Sequence, residues 1–171
     1  TYYDQLCGTW TAPQKERAEE ICCYNWMPID EEEVTESNIP LKIGLDTLTL
    51  IDETDPIWSG KDDIYAVIMI KDMTNTIVNE IRFPEKRVYK LNEGESESIN
   101  AVIYETDNVM GDFLSVIIRI YDRDLGVDDL IGENTKTLLR ARNFDKGKTF
   151  TMQCYSPDET DGKVDVEMWV E

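Results

Sequence analysis

Four aspartates in the second half of the chain have the residue type and spacing to bind a metal ion. Asp122 and Asp124 are two residues apart, so an extended backbone points both carboxylates to the same side, and Asp128 and Asp129 follow within the same short stretch. Crowded carboxylates repel one another unless a cation or a basic partner offsets their charge. Because Ca²⁺ binds about six to eight oxygen atoms in a flexible shell, the pattern favours a calcium site. An exposed acidic turn is the alternative.

The residues on both sides of this acidic stretch are typical of β-strands rather than helices. Residues 113–121 are rich in β-branched and aromatic side chains, which predicts a strand buried along most of its length. An EF-hand calcium loop is the competing interpretation of this stretch, because Glu133 is at the twelfth position counted from Asp122. The sixth position of that loop needs Gly for its sharp turn, and here it is Val127. We therefore reject the EF-hand.

The composition of the chain limits the partners it can have. The 17 basic and 36 acidic residues give a net charge of −19, which argues against nucleic-acid binding and against direct adhesion to an anionic membrane. Contact with such a membrane therefore needs a cation as a bridge. The chain has no His, the commonest general base and the usual near-neutral pH switch. We expect a protein that is not an enzyme and has no small-molecule substrate.

The chain divides into two parts with different patterns. Residues 1–40 hold aromatic side chains, a stretch at about 13–23 that is typical of a short helix, and an acidic linker. We expect them to form an N-terminal extension of partly helical or irregular structure. From residue 41 the apolar residues alternate, with a slip near Asp46 that indicates a β-bulge. Regularly spaced strands of this kind predict an all-β sandwich over residues 41–171.

Four cysteines leave the redox state of the chain open. In an oxidising compartment they could form two disulfides with three possible pairings, whereas in the cytosol they would be free thiols; they are Cys7, Cys22, Cys23 and Cys154. The localisation is therefore uncertain. A secreted protein or one stored in the lumen of secretory granules is slightly favoured over one at a cytoplasmic membrane surface.

Two segments of the chain resemble C2 domains, which are β-sandwiches that bind calcium and phospholipid. In the third calcium loop of that family a strand ends in Asp-x-Asp, a further Asp follows, and a Leu-Ile-Gly-Glu-like turn opens the next strand. Asp122, Asp124, Asp129 and residues 130–133 match this pattern. Residues 60–67, Gly-Lys-Asp-Asp-Ile-Tyr-Ala-Val, stand where the family's first calcium loop ends.

The resemblance covers roughly residues 40–171 and implies an eight-stranded antiparallel β-sandwich that holds Ca²⁺ in the loops at one end. It implies calcium ligation by Asp55, Asp63, Asp122, Asp124 and Asp129, with Asp52 and Asp128 as weaker candidates. The family's earlier aspartate in the first loop falls on Ile57 here, so Asp55 serves only if that loop is longer by two residues. Apolar loop tips suit contact with a membrane or a partner, namely Ile57, Trp58, Leu125 and Val127. Trp58 folded back over the sandwich is the alternative.

One cluster of basic residues stands out in this acidic chain: Arg82, Lys86, Arg87 and Lys90. C2 domains often carry a basic strand that meets phosphoinositide headgroups. We favour the simpler interpretation, in which these cations pair with glutamates on neighbouring strands.

The sequence thus predicts a non-catalytic, calcium-binding, membrane-associated module. Its acidic loops would dock on anionic phospholipid through Ca²⁺, or on a protein partner. The alternative is a structural or assembly component of a larger, secreted complex. In that case the C2 sandwich and the N-terminal extension would provide the protein–protein contacts with neighbouring subunits.

Overall fold

Nine strands and one irregular 3₁₀ turn make up the described part of the chain. The computed structural model describes residues 38–52, 61–123, 127–155 and 162–171, which belong to the unit Asn38–Glu171. The elements are β1 (Leu41–Asp52), β2 (Asp62–Lys71), β3 (Ile77–Phe83), β4 (Tyr89–Leu91), β5 (Ser96–Thr106), β6 (Phe113–Asp122), β7 (Asp129–Leu139), the 3₁₀ turn (Arg140–Asp145), β8 (Lys148–Tyr155) and β9 (Lys163–Val170). In these residues we find no helix with the length and apolar character needed to cross a membrane.

The strands form two antiparallel sheets around a shared core. One sheet has the order β3-β2-β6-β7, with β4 also paired to β2, and the other has the order β8-β9-β1-β5. The residue pair Glu133 and Tyr155 links β7 to β8, and there the hydrogen-bonded path passes from one sheet to the other. Buried side chains from both sheets meet in one apolar cluster. The predicted all-β antiparallel sandwich is confirmed.

The edge strand of the first sheet is interrupted, which gives nine strands instead of the predicted eight. β3 and β4 pair with successive parts of β2, and residues 84–88 form a short loop between them. The guanidinium group of Arg82 donates hydrogen bonds to the carbonyl oxygens of Pro84 and Arg87, which closes the loop. Counted as one interrupted strand, β3 and β4 restore the eight strands of the prediction.

Alternating burial along the strands explains why this sequence forms a sandwich. In β6 every second side chain is in the core, namely Leu114, Val116, Ile118 and Ile120. In β1 the register shifts between Leu45 and Thr47 on both sides of the strand. This shift lets Leu45 and Leu48, three residues apart, both point into the core. The predicted bulge near Asp46 is therefore confirmed.

The structure gives one of the two states that the sequence left open for Cys154. This residue lies on β8, is fully buried in the core and is a free thiol. It packs there as a small apolar side chain, and burial raises the pKa of its thiol to about 12. The other three cysteines, Cys7, Cys22 and Cys23, lie outside the described residues, as does the predicted helix at residues 13–23.

Candidate functional site

One end of the sandwich collects those acidic residues singled out by the sequence that the structure describes, namely Asp52, Asp63, Asp122, Asp128 and Asp129. Here β1 leads to β2, β4 to β5, β6 to β7 and β8 to β9, and we call this the loop end. Asp52 lies opposite Lys163, and Asp122 lies opposite both Ile64 and Asp129 in neighbouring strands. Strands from both sheets therefore finish at the same place, as a site built from several loops requires.

Three of the predicted ligands come from three adjacent strands at this end. Asp122, the last residue of β6, is only 5% exposed, whereas Asp129 at the start of β7 is exposed. The backbone N–H of Asp63 on β2 donates a hydrogen bond to Oδ1 of Asp122 at 3.1 Å. The N–H of Arg123 donates to the carbonyl oxygen of Asp63 at 3.0 Å. These two hydrogen bonds hold the start of β2 against the end of β6.

Asp63 already has a cationic partner, which the sequence did not predict. The ammonium nitrogen of Lys90 lies 2.5 Å from Oδ1 of Asp63, and the two residues face each other across the β2–β4 pairing. The Lys90 side chain is 65% exposed and that of Asp63 is 32% exposed. The pair is therefore accessible to water and to a competing ion.

Asp128 is held back against the sheet by Tyr65. The Tyr65 hydroxyl donates a hydrogen bond of 2.8 Å to Oδ2 of Asp128, and the Tyr65 ring stacks on that of Tyr121 with centroids 5.1 Å apart. The Arg82 guanidinium covers the Tyr65 ring at 4.0 Å. Burial, reinforced by the bond to Asp128 and by its charge, raises the pKa of Tyr65 to about 12. The hydroxyl therefore remains a donor at any physiological pH.

A second ion pair ties the β4–β5 turn to the start of β2. The ammonium group of Lys61 lies 2.6 Å from Oε2 of Glu95. Glu95 also accepts hydrogen bonds from the backbone N–H and the side-chain amide of Asn92, at 3.0 and 2.8 Å. The hydrogen bond from Lys61, followed by those from Asn92, lowers the pKa of Glu95 to about 2. The sequence indicated only a turn here, with no role for Glu95.

Exposed apolar side chains surround these carboxylates. Val127, a predicted contact residue, is 81% exposed. Three further large apolar residues at the loop end are also exposed, namely Ile51, Leu130 and Tyr155, and none of them was predicted as a contact. The other predicted tip residues, Ile57, Trp58 and Leu125, lie outside the described residues.

The chain matches no protein-family model and no curated protein, but its fold is similar to known structures. A C2 domain of plant extended synaptotagmin 1 is 15% identical, with a TM-score of 0.53, and the match covers 78% of this chain and 95% of that one. The fold is that of a C2 domain. The two calcium-bound C2 domains of extended synaptotagmin 2 are 20% identical with a TM-score of 0.52. That match covers 78% of this chain and 45% of that two-domain chain.

Three of the predicted calcium ligands lie on three adjacent strands at the loop end. Asp63, Asp122 and Asp129 offer carboxylate oxygens, the hard ligands that Ca²⁺ takes, so the chemistry of the donors fits this metal. Within the described residues, no three His, Cys, Asp or Glu side chains are grouped closely enough to hold an ion. The remaining predicted ligands, Asp55 and Asp124, lie outside the described residues. The full ligand set stays a prediction.

Proposed function

We propose that this C2 domain binds Ca²⁺ at its loop end and uses the ion to dock on anionic phospholipid. The observation that carries the proposal is the arrangement of Asp63, Asp122 and Asp129 at the ends of three adjacent strands. Exposed Val127 and Leu130 lie beside them. This combination of carboxylates and apolar tips suits a surface that meets both charged headgroups and the acyl boundary.

Calcium would reverse the charge that keeps this protein away from anionic lipid. A chain of net charge −19 is repelled by such a surface. An ion held by carboxylates keeps free coordination sites for phosphate oxygens, and it is the largest local charge at such a site. The chain's own residues then have two roles: Asp63, Asp122 and Asp129, with Asp55 and Asp124, hold the ion, and Val127 and Leu130 enter the headgroup region.

We infer no catalytic role for the chain. Its sequence contains no His, so the commonest general base is missing and only carboxylates could act as acid or base. In the proposed function these carboxylates bind the metal. The calcium-bound C2 domains of extended synaptotagmin 2, which have a similar fold, also support a binding module and not an enzyme.

A second group of exposed apolar residues favours protein contacts as a further candidate function. It lies on β3, on β5 and in the two turns at the end opposite the loop end, and it comprises Met73, Ile77, Val78, Val102 and Met110. Where such side chains form one continuous patch, the patch marks a protein-interaction site. A structural or assembly role would use this surface and would not require calcium.

Vesicle co-sedimentation of the full chain separates the two functions. We expect binding to vesicles of phosphatidylcholine with phosphatidylserine in millimolar Ca²⁺, and none in chelator or with phosphatidylcholine alone. Val127→Ser should weaken this binding, whereas Val102→Ser, which makes the same change on β5, should leave it intact. No calcium-dependent binding would refute the proposal. A mass above that of one chain, measured by light scattering in chelator, would support the assembly role instead.

A further inference from the structure

Lys90 is paired with a carboxylate that a calcium ion would have to bind. Its ammonium nitrogen is 2.5 Å from Oδ1 of Asp63, a predicted ligand, and the two side chains reach each other directly across paired strands. We infer that Lys90 is an exchangeable counter-cation. It neutralises Asp63 when no metal is bound, and it moves to a phosphate of the anionic lipid when Ca²⁺ takes Asp63. This inference rests on the proposed function.

The two cations exclude each other at Asp63 because of their charge. An ammonium and a divalent ion on one carboxylate would be within a few ångströms of each other, where like charges repel strongly. The backbone of Asp63 need not move when one replaces the other. Its N–H is bound to Asp122 and its carbonyl oxygen to the N–H of Arg123, so only the Lys90 side chain has to swing away.

The exchange is easy because the ion pair is exposed. A salt bridge open to water changes an equilibrium constant by no more than about fivefold, and the Lys90 side chain is 65% exposed. Calcium can therefore displace the Lys90 ammonium group from Asp63. The cost appears as a calcium affinity up to about fivefold weaker than the same site would have without Lys90.

Lys90 differs from two other cations near the loop end, Lys61 and Arg82, in what calcium would do to it. Lys61 is bound to Glu95, and Arg82 is bound to the Pro84 and Arg87 carbonyl oxygens and lies over the Tyr65 ring. Lys90 is paired with a carboxylate that belongs to the proposed metal site. Once released, its ammonium group offers three N–H donors beside the calcium-bound phosphate.

The inference predicts effects of opposite sign for one substitution, Lys90→Gln in the full chain. Calcium affinity without lipid, measured by titration calorimetry, should become tighter by up to about fivefold. Binding to phosphatidylcholine–phosphatidylserine vesicles at saturating Ca²⁺ should become weaker by about fivefold, the contribution of one lysine near an anionic surface. A lysine that only stabilises the fold would not move the two affinities in opposite directions.

Lys86→Gln is the matched control. Lys86 is exposed in the segment between β3 and β4, and no ion pair joins it to another described residue. The Lys86→Gln substitution therefore removes the same charge without affecting Asp63. Calcium affinity in Lys90→Gln that is no tighter than in Lys86→Gln would overturn the exchange. Tighter calcium binding with unchanged vesicle binding would overturn the transfer to phosphate. If neither the wild type nor Lys90→Gln binds calcium while both remain folded, the proposed function itself fails. Whether the wild type binds calcium therefore distinguishes failure of the proposed function from failure of the exchange.

Discussion

Asp129→Asn is the sharpest single test of the calcium site. Asp129 is exposed at the start of β7, so its substitution should leave the fold unchanged in chelator. Asp122 is less suitable, because it is 5% exposed and accepts the N–H of Asp63; changing it would alter stability even without metal. Asp129 thus separates metal ligation from packing.

The expected magnitude follows from binding linkage and from the size of the domain. Calcium at a hundred times its dissociation constant stabilises the folded state by about 2.7 kcal/mol. For a unit the size of Asn38–Glu171, that raises the unfolding midpoint by about 8–11 °C. Loss of one charged ligand weakens binding by about tenfold, or about 1.4 kcal/mol. At the same calcium concentration, Asp129→Asn should therefore show about half of the wild-type shift.

The assay is thermal unfolding of wild type and variant, each in calcium and in chelator. Asp107→Asn is the control, because Asp107 is also exposed but lies in the β5–β6 loop at the opposite end. It changes the net charge by the same amount, so it reports any general effect of charge on calcium binding. Equal shifts in the two variants would show that Asp129 is not a ligand. No shift in the wild type at millimolar calcium would remove the calcium mechanism and leave the fold untouched.

Three further predictions concern the contacts that shape the loop end. Tyr65→Phe removes the hydrogen bond to Asp128 and should cost about 1 kcal/mol in urea unfolding at neutral pH. The pKa of Tyr65 is about 12 in the folded chain against 10.0 for a free tyrosine, so the unfolded chain loses its proton first and stability falls from pH 10 towards 12; the variant should fall less steeply. Gly132→Ala would place a Cβ 2.6 Å from the backbone nitrogen of Tyr155, so it should lower the free energy of unfolding by about 1–3 kcal/mol. A thermal midpoint that does not drop would contradict this reasoning. Glu95→Gln should flatten the acid side of the stability profile, because the pKa of Glu95 is lowered from 4.5 to about 2 and the stability it gives is lost as pH falls through that range.

The fold could be predicted because the alternation of apolar residues in this chain is unusually regular. β6 and β9 bury every second side chain, and a period of two fixes both the strand and its core face. Gly132 in the Leu-Ile-Gly-Glu stretch of β7 shows why the resemblance to C2 domains was informative. It lies where β7 meets β8, and backbone atoms of Cys154 and Tyr155 leave no room for a Cβ. Its place in the sequence pattern reflects a packing requirement.

The contacts at the candidate site could not be predicted because they depend on strand register. Lys90 and Asp63 are 27 residues apart, Lys61 and Glu95 are 34 apart, and Tyr65 and Asp128 are 63 apart. A sequence pattern gives the face of a strand but not which residue of another strand lies opposite. The redox state of Cys154 could not be predicted for a related reason. An even number of cysteines says nothing about which of them points into the core.

These internal contacts change how the acidic loop end should be understood. A count of aspartates suggests a surface of strong, unbalanced negative charge. In the folded chain, Asp63 and Glu95 are each paired with a lysine, and Asp128 is held by Tyr65. Calcium would therefore replace existing partners instead of filling an unopposed charge. We expect its affinity to depend on the strength of those partners as much as on the number of carboxylates, so that removing Lys90 and removing Asp129 should change calcium binding in opposite directions.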